Sequence, residues 1–83
     1  MKNQIIIDVR TKEEFEMGHV PDAINIPLNE IPNKIAEIKS FDEEIILCCA
    51  SGGRSAQATS YLKRFGLNCT DAGSWTNLMK FNN

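Results

Sequence analysis

One histidine, one tryptophan, one tyrosine, three prolines and three cysteines in 83 residues leave little material for several kinds of site. No basic block is present: nine Lys and Arg stand against eleven Asp and Glu, for a net charge of −2. That balance argues against a nucleic-acid partner and against an anionic membrane surface. Long apolar runs are also lacking. Met1-Lys2-Asn3-Gln4 is followed by only three isoleucines before Asp8, so no signal peptide is expected, and no segment approaches a membrane span. Three cysteines cannot all pair within one chain, and the adjacent Cys48 and Cys49 are poorly placed to bridge each other. A reduced, cytoplasmic setting with at least one free thiol is therefore expected. With a single His19 and no C-x2-C spacing, no metal is expected.

What is present suffices for one domain over residues 1–83. Hydrophobic residues make up 42% and charged ones 24%, the balance of a folded chain with one core. Gln4 to Val9 is a β-branched run without alternation, as in a strand buried on both faces of a parallel sheet. Thr11 with Glu14 has the spacing of a reciprocal capping box, which opens a short helix ended by Gly18. Ala23 to Ile26 reads as a short second strand stopped by Pro27. Leu28, Ile31, Ile35 and Ile38 recur at helical intervals and predict one helix with Pro32 near its first turn. A strand Ile45 to Cys48 follows, then a loop, then a helix with Ala58, Tyr61, Leu62 and Phe65 on one face and Gly66 as its left-handed cap. Cys69 to Asp71 is a weak last strand, and Gly73-Ser74 turns into a short helix carrying Trp75, Leu78, Met79 and Phe81. Strands alternating with helices imply an α/β fold, a parallel sheet of about four strands with helices on both faces. Ligands of such folds sit beyond the carboxyl ends of the strands.

The loop Cys49-Ala50-Ser51-Gly52-Gly53 lies at such an end, between an apolar strand and Arg54 at the start of a helix. Backbone N–H groups converging at a helix N-terminus make a cradle for an anion, and small residues let them turn inward. The anion could be the Cys49 thiolate, whose pKa falls at a helix N-terminus or beside Arg. Arg54 adds a fixed charge for a negatively charged partner. A pair of small buried hydrophobes at a helix-starting turn is the blander alternative for Cys48 and Cys49.

Two motifs, D-x-R leading to GHVPDAINIP from Asp8 and C-x-x-G-x-R-S from Cys49 to Ser55, resemble the single-domain rhodaneses, a family of thiosulfate-type sulfurtransferases. The resemblance runs from Ile7 to about Trp75. It implies a minimal rhodanese-like fold in which Cys49 carries sulfane sulfur as a persulfide. It further implies that Ala50, Ser51, Gly52, Gly53, Arg54 and Ser55 bind the persulfide and the donor anion. The partners implied are a small anionic sulfur donor and a thiol or protein sulfur acceptor, with no cofactor. This chain begins directly at the D-x-R strand, without the strand and helix that often precede it in larger members, which implies a minimal sheet with an exposed edge. A monomer is expected.

Counting leaves an ambiguity. From Cys49, Arg54 closes C-x4-R, the length that suits sulfur transfer in this family; from Cys48 it closes C-x5-R, the length of cysteine-dependent phosphatases and arsenate reductases. Gly52 stands three residues after Cys49, whereas Ser51 stands three after Cys48, and Cys48 continues the apolar strand. Cys49 is therefore the expected nucleophile, with the Cys48-dependent chemistry and a persulfide carrier or docking module as alternatives. Asp8, Arg10 and Trp75 are expected at the pocket rim or in the scaffold. His19 is expected in the scaffold and Cys69 in the core.

Overall fold

In the computed structural model, which describes residues 3–79, four strands form one parallel sheet in the order β2-β1-β3-β4. The chain runs β1 (Gln4–Asp8), α1 (Lys12–Glu16), β2 (Ile24–Asn25), a 3-10 helix (Leu28–Lys34), α2 (Ile35–Lys39), β3 (Glu44–Cys49), α3 (Gly53–Lys63), β4 (Cys69–Ser74) and α4 (Trp75–Met79). β1 and β3 pair in register from Gln4 with Glu44 to Asp8 with Cys48. Because β1 lies inside the sheet, the bare edge expected at the N-terminal strand falls instead on the two-residue β2 and on β4. No helix among the described residues is long and apolar enough to cross a membrane.

Alternation along the strands assigns the core. Ile7, Val9, Ile45, Leu47 and Cys49 face one side, where Ile26, Ile31, Ile38, Ala58 and Leu62 close over them. Burying an aliphatic side chain of this size contributes about 1.5–3 kcal/mol, so this side supplies most of the folding drive. On the other side Ile6, Ile46, Thr70 and Ala72 line an apolar groove with Val20 and with Leu78 and Met79 of α4. α4 covers only part of that face.

Several elements differ from expectation for physical reasons. Pro32 lies inside the segment predicted as one helix and cannot donate to the helical ladder; the segment divides into the 3-10 helix before Lys34 and α2 after it. β3 extends through Cys49, which pairs with Ser74 and so belongs to the strand rather than to the loop. β4 likewise continues through Gly73 and Ser74, with an irregularity at Ala72 that the weak pattern hid: Leu47 pairs with Asp71, and Cys48 already with Gly73. Phe81, expected in the last helix, lies outside the described residues. The Thr11–Glu14 capping box forms as expected, with the Glu14 N–H donating to Thr11 Oγ1 at 3.2 Å and the Thr11 N–H to Glu14 Oε1 at 2.9 Å. Gly66, at φ 80°, ends the α3 turn, and the Leu67 N–H reaches back to the Leu62 carbonyl.

A buried polar clamp joins the carboxyl end of β1 to its surroundings. Asp8 is fully buried, and Arg10 holds it through Nε at 2.9 Å and Nη2 at 2.8 Å. Arg10 Nη2 also donates to the Gly18 carbonyl at 2.7 Å, and its guanidinium lies 4.7 Å from the Trp75 ring centroid. Asn25 Nδ2 donates to the carbonyls of Asp8 and Arg10. Removing one partner strands a buried charge, which costs about 3–5 kcal/mol. Asp8→Ala is expected to lower the unfolding free energy by roughly that amount in urea denaturation; a loss under about 1 kcal/mol would show that the clamp holds nothing.

Candidate active site

The period of two places the neighbouring thiols Cys48 and Cys49 on opposite faces of β3. Cys49 faces α3. Its Sγ accepts the Gly52 N–H at 3.0 Å and the Ser55 N–H at 3.3 Å, and donates to Ser55 Oγ at 3.3 Å. These contacts depend on backbone shape. Gly52 has φ 107°, a left-handed conformation that a side chain resists, and it precedes the first turn of α3. That conformation turns its N–H inward. Burial pushes the Cys49 thiol up, but the anionic sulfur's hydrogen bonds with the Ser55 hydroxyl and with the N–H groups of Ser55, Gly52 and Ser51 outweigh it. The thiol lies below its ordinary range.

Cys48 faces the Asp8 side of the sheet. Burial, joined by the Asp8 carboxylate, pushes its thiol up to about 12. No hydrogen bond among the described residues reaches its sulfur from the loop. Cys49 and Cys48 are both fully buried, so exposure does not separate them; the donors around each sulfur do.

Arg54 follows the loop, with its guanidinium engaged elsewhere. Its Nη1 and Nη2 donate to Glu14 Oε1 and Oε2 at 2.7 and 3.0 Å. The Arg54 bonds and the Thr11 backbone bond lower the Glu14 carboxyl to about 2. A guanidinium has five N–H donors, so Arg54 keeps donors to spare, while its charge is neutralised at the loop. Ala50 and Ser51 are exposed loop positions, and Gly53, the first residue of α3, is exposed beside them. Ser55 is fully buried under the loop.

Asp8, Arg10 and Trp75 are brought together in the clamp described above. His19 stacks on Phe15 at 3.8 Å between ring centroids, and its Nδ1 bonds to the Phe15 carbonyl at 2.8 Å. A carbonyl can only accept, so Nδ1 carries the hydrogen and the ring is tied to α1. Cys69 is buried, with Sγ 3.6 Å from the Thr59 carbonyl and a thiol raised by burial.

Two site residues carried no signal in the pattern. Glu14 was legible as a capping residue but not as the partner of Arg54, forty positions away. Asp71 accepts the Ser55 hydroxyl at 2.6 Å and the Gly73 N–H at 2.9 Å. It shares a strand face with Cys69, which points it at α3, and only the pairing of β4 with β3 reveals that.

A parallel α/β sheet with a cysteine at a strand end, its sulfur ringed by N–H donors at a helix N-terminus, defines a cysteine-centred anion site. The chain belongs to the rhodanese-like family: the Rhodanese-like domain model matches residues 1–78. A sulfurtransferase of Allochromatium vinosum is 39% identical over 62 residues, covering 75% of this chain and 57% of the relative. Thiosulfate sulfurtransferase 16, chloroplastic, of Arabidopsis thaliana is 38% identical, with 72% of this chain and 59% of that protein covered. The chain thus spans little more than half the length of these two relatives. The structure described as a rhodanese with anions from E. coli superimposes with a TM-score of 0.82 at 32% identity, covering 90% of this chain and 91% of that one.

Glu14, lowered from 4.5 to about 2, contributes stability that is present above pH 4.5 and lost as pH falls towards 2. Glu14→Gln should therefore flatten the fall of Tm across that window. An unchanged slope would show that the Arg54 pair does not persist in solution.

Proposed function

We propose that this protein moves sulfane sulfur through a persulfide on Cys49, taking it from thiosulfate or a related anionic donor and passing it to a thiol. The single observation that carries this reading is the ring of donors on Cys49 Sγ, which lowers its thiol while that of Cys48 rises to about 12. Family membership supports the class of reaction. In the first step the Cys49 thiolate attacks the outer sulfur of thiosulfate. A new S–S bond forms, the old one breaks, and sulfite leaves with the electron pair. In the second step an acceptor thiolate attacks the outer sulfur of the Cys49 persulfide. The acceptor departs as a persulfide and the Cys49 thiolate returns.

The chain supplies electrostatic stabilisation and orientation. Gly52 and Ser55 N–H groups hold negative charge on Cys49 Sγ in the thiolate, and in the persulfide, where the charge moves to the outer sulfur, the Ala50 to Arg54 backbone surrounds that sulfur. No general base is needed, because the loop itself favours the thiolate. Phosphatase or arsenate reductase chemistry at Cys48 lacks support, since the Gly52 and Ser55 N–H groups point to Cys49 rather than to Cys48, and burial pushes the Cys48 thiol up to about 12.

After incubation with thiosulfate, intact mass spectrometry is expected to show one added sulfur atom. Cys49→Ser should abolish the adduct and Cys48→Ser should retain it. An adduct that survives in Cys49→Ser and disappears in Cys48→Ser would reverse the assignment.

One observation favours a second reading, a persulfide carrier serving a protein partner. Arg54, the cation that directly follows the loop in the first turn of α3, is already neutralised by Glu14, which weakens its hold on a free dianion. Two grooves among the described residues, about 790 and 560 Å³, contain neither Cys49 nor Arg54 in their walls, and Arg54 lines only a smaller one of about 250 Å³ that lacks Cys49. Freeing Arg54 by Glu14→Gln should lower the KM for thiosulfate roughly three- to tenfold, the size of one charge-assisted interaction. An unchanged KM would place donor recognition elsewhere.

A further inference from the structure

The Ser55 hydroxyl has one hydrogen and three partners around it: the acceptors Asp71 Oδ1 at 2.6 Å and the Gly52 carbonyl at 3.1 Å, and Cys49 Sγ at 3.3 Å, which donates as a thiol and accepts as a thiolate. A hydroxyl donates one hydrogen bond at a time. The shortest contact is to the Asp71 carboxylate, so in this arrangement the hydrogen lies on Asp71 and Ser55 presents a lone pair to sulfur. That suits a protonated thiol, whose S–H donates to Ser55 Oγ. It does not suit a thiolate, which needs the hydrogen of Ser55 turned towards it.

We propose that Asp71 is a positioning residue for Cys49, acting through Ser55: it competes with the sulfur for the one hydroxyl hydrogen and thereby limits how far the loop stabilises the thiolate. The inference rests on Cys49 being the working thiolate of the reaction proposed above. When the thiol loses its proton to solvent, the Ser55 hydroxyl rotates from Asp71 to sulfur, and Asp71 keeps the Gly73 N–H as its donor. When the sulfur becomes a persulfide, the inner atom no longer carries the charge and the hydrogen returns to Asp71. No proton is transferred between Ser55 and its neighbours. Limiting the stabilisation has a chemical use, because a thiolate held less tightly is the better nucleophile. Ser55 is fully buried, so water does not supply a substitute donor along this path.

Other charged or titratable groups also surround Cys49. Arg54 of α3 faces it and is held by Glu14 of α1; Cys48 of its own strand, with Asp8 and Arg10, lies on the opposite face of the sheet. Removal of the Asp71 charge would act on the thiol through space as well, so the test must separate charge from hydrogen bond. The pH midpoint of Cys49 alkylation by iodoacetamide, read by peptide mass spectrometry, reports the thiol without any sulfur transfer. Asp71→Asn keeps the shape of the side chain and weakens the acceptor. It should lower the midpoint by about one pH unit, the scale of a charge-assisted hydrogen bond gained by the thiolate. In a Ser55→Ala background the same Asp71→Asn change should move the midpoint by less than a third of that. Equal shifts in both backgrounds would assign the effect to direct charge and overturn the proposal, as would no shift in either. Asp71→Ser and Ser55→Gly replace the first choices if either fails to fold. Because the readout needs no sulfur donor, a failed persulfide assay and a failed titration are told apart.

Discussion

Strand alternation at the carboxyl end of β3 is the constraint on which this site depends. Cys48 and Cys49 are chemically identical and equally buried, yet one residue of offset along a pleated strand sends their sulfurs to opposite faces of the sheet. On one face the sulfur meets the inward N–H groups of Gly52 and Ser55; on the other it meets the Asp8 carboxylate side and an apolar surround. A register slip of one residue in β3 would exchange these environments. The five consecutive pairings with β1 exclude that slip, so the sheet itself fixes which environment each sulfur meets.

Both arginines near the site are neutralised by carboxylates. Arg10 with Asp8 and Arg54 with Glu14 each join a cation to a carboxylate with two hydrogen bonds or more. The buried pair ties β1 to α1, β2 and α4 and so keeps the strand end in place, while the half-exposed pair ties the first turn of α3 to the capping box of α1. Glu14 therefore serves two functions at once: it completes a helix cap and holds the loop arginine. What remains to stabilise sulfur is mainly neutral, the N–H dipoles and one hydroxyl. Such hydrogen bonds depend only modestly on salt, because short contacts in a buried site are poorly screened.

The sequence alone carried much of this. The β-branched run of β1, the capping spacing of Thr11 and Glu14, the Gly66 cap and the C-x-x-G-x-R-S motif each rest on local stereochemistry, and local stereochemistry is written in adjacent residues. Where local rules conflicted, the reading faltered. Pro32 sits in an otherwise helical pattern whose first part, Leu28–Lys34, winds as a 3-10 helix, and Gly73 and Ser74 carry turn chemistry yet pair with β3 because the strand beside them offers partners.

By itself the sequence determined the fold class and singled out Cys49 over Cys48, since loop length and glycine position are counted along the chain. Tertiary structure alone decided who surrounds that sulfur. Arg54 meets Glu14 across forty residues and Ser55 meets Asp71 across sixteen, contacts created by a helix crossing back over the sheet and by a strand pairing at its edge. The Cys49 loop is thus less a cation-lined pocket than a set of backbone dipoles and a shared hydroxyl, because its arginine, Arg54, is already paired with Glu14.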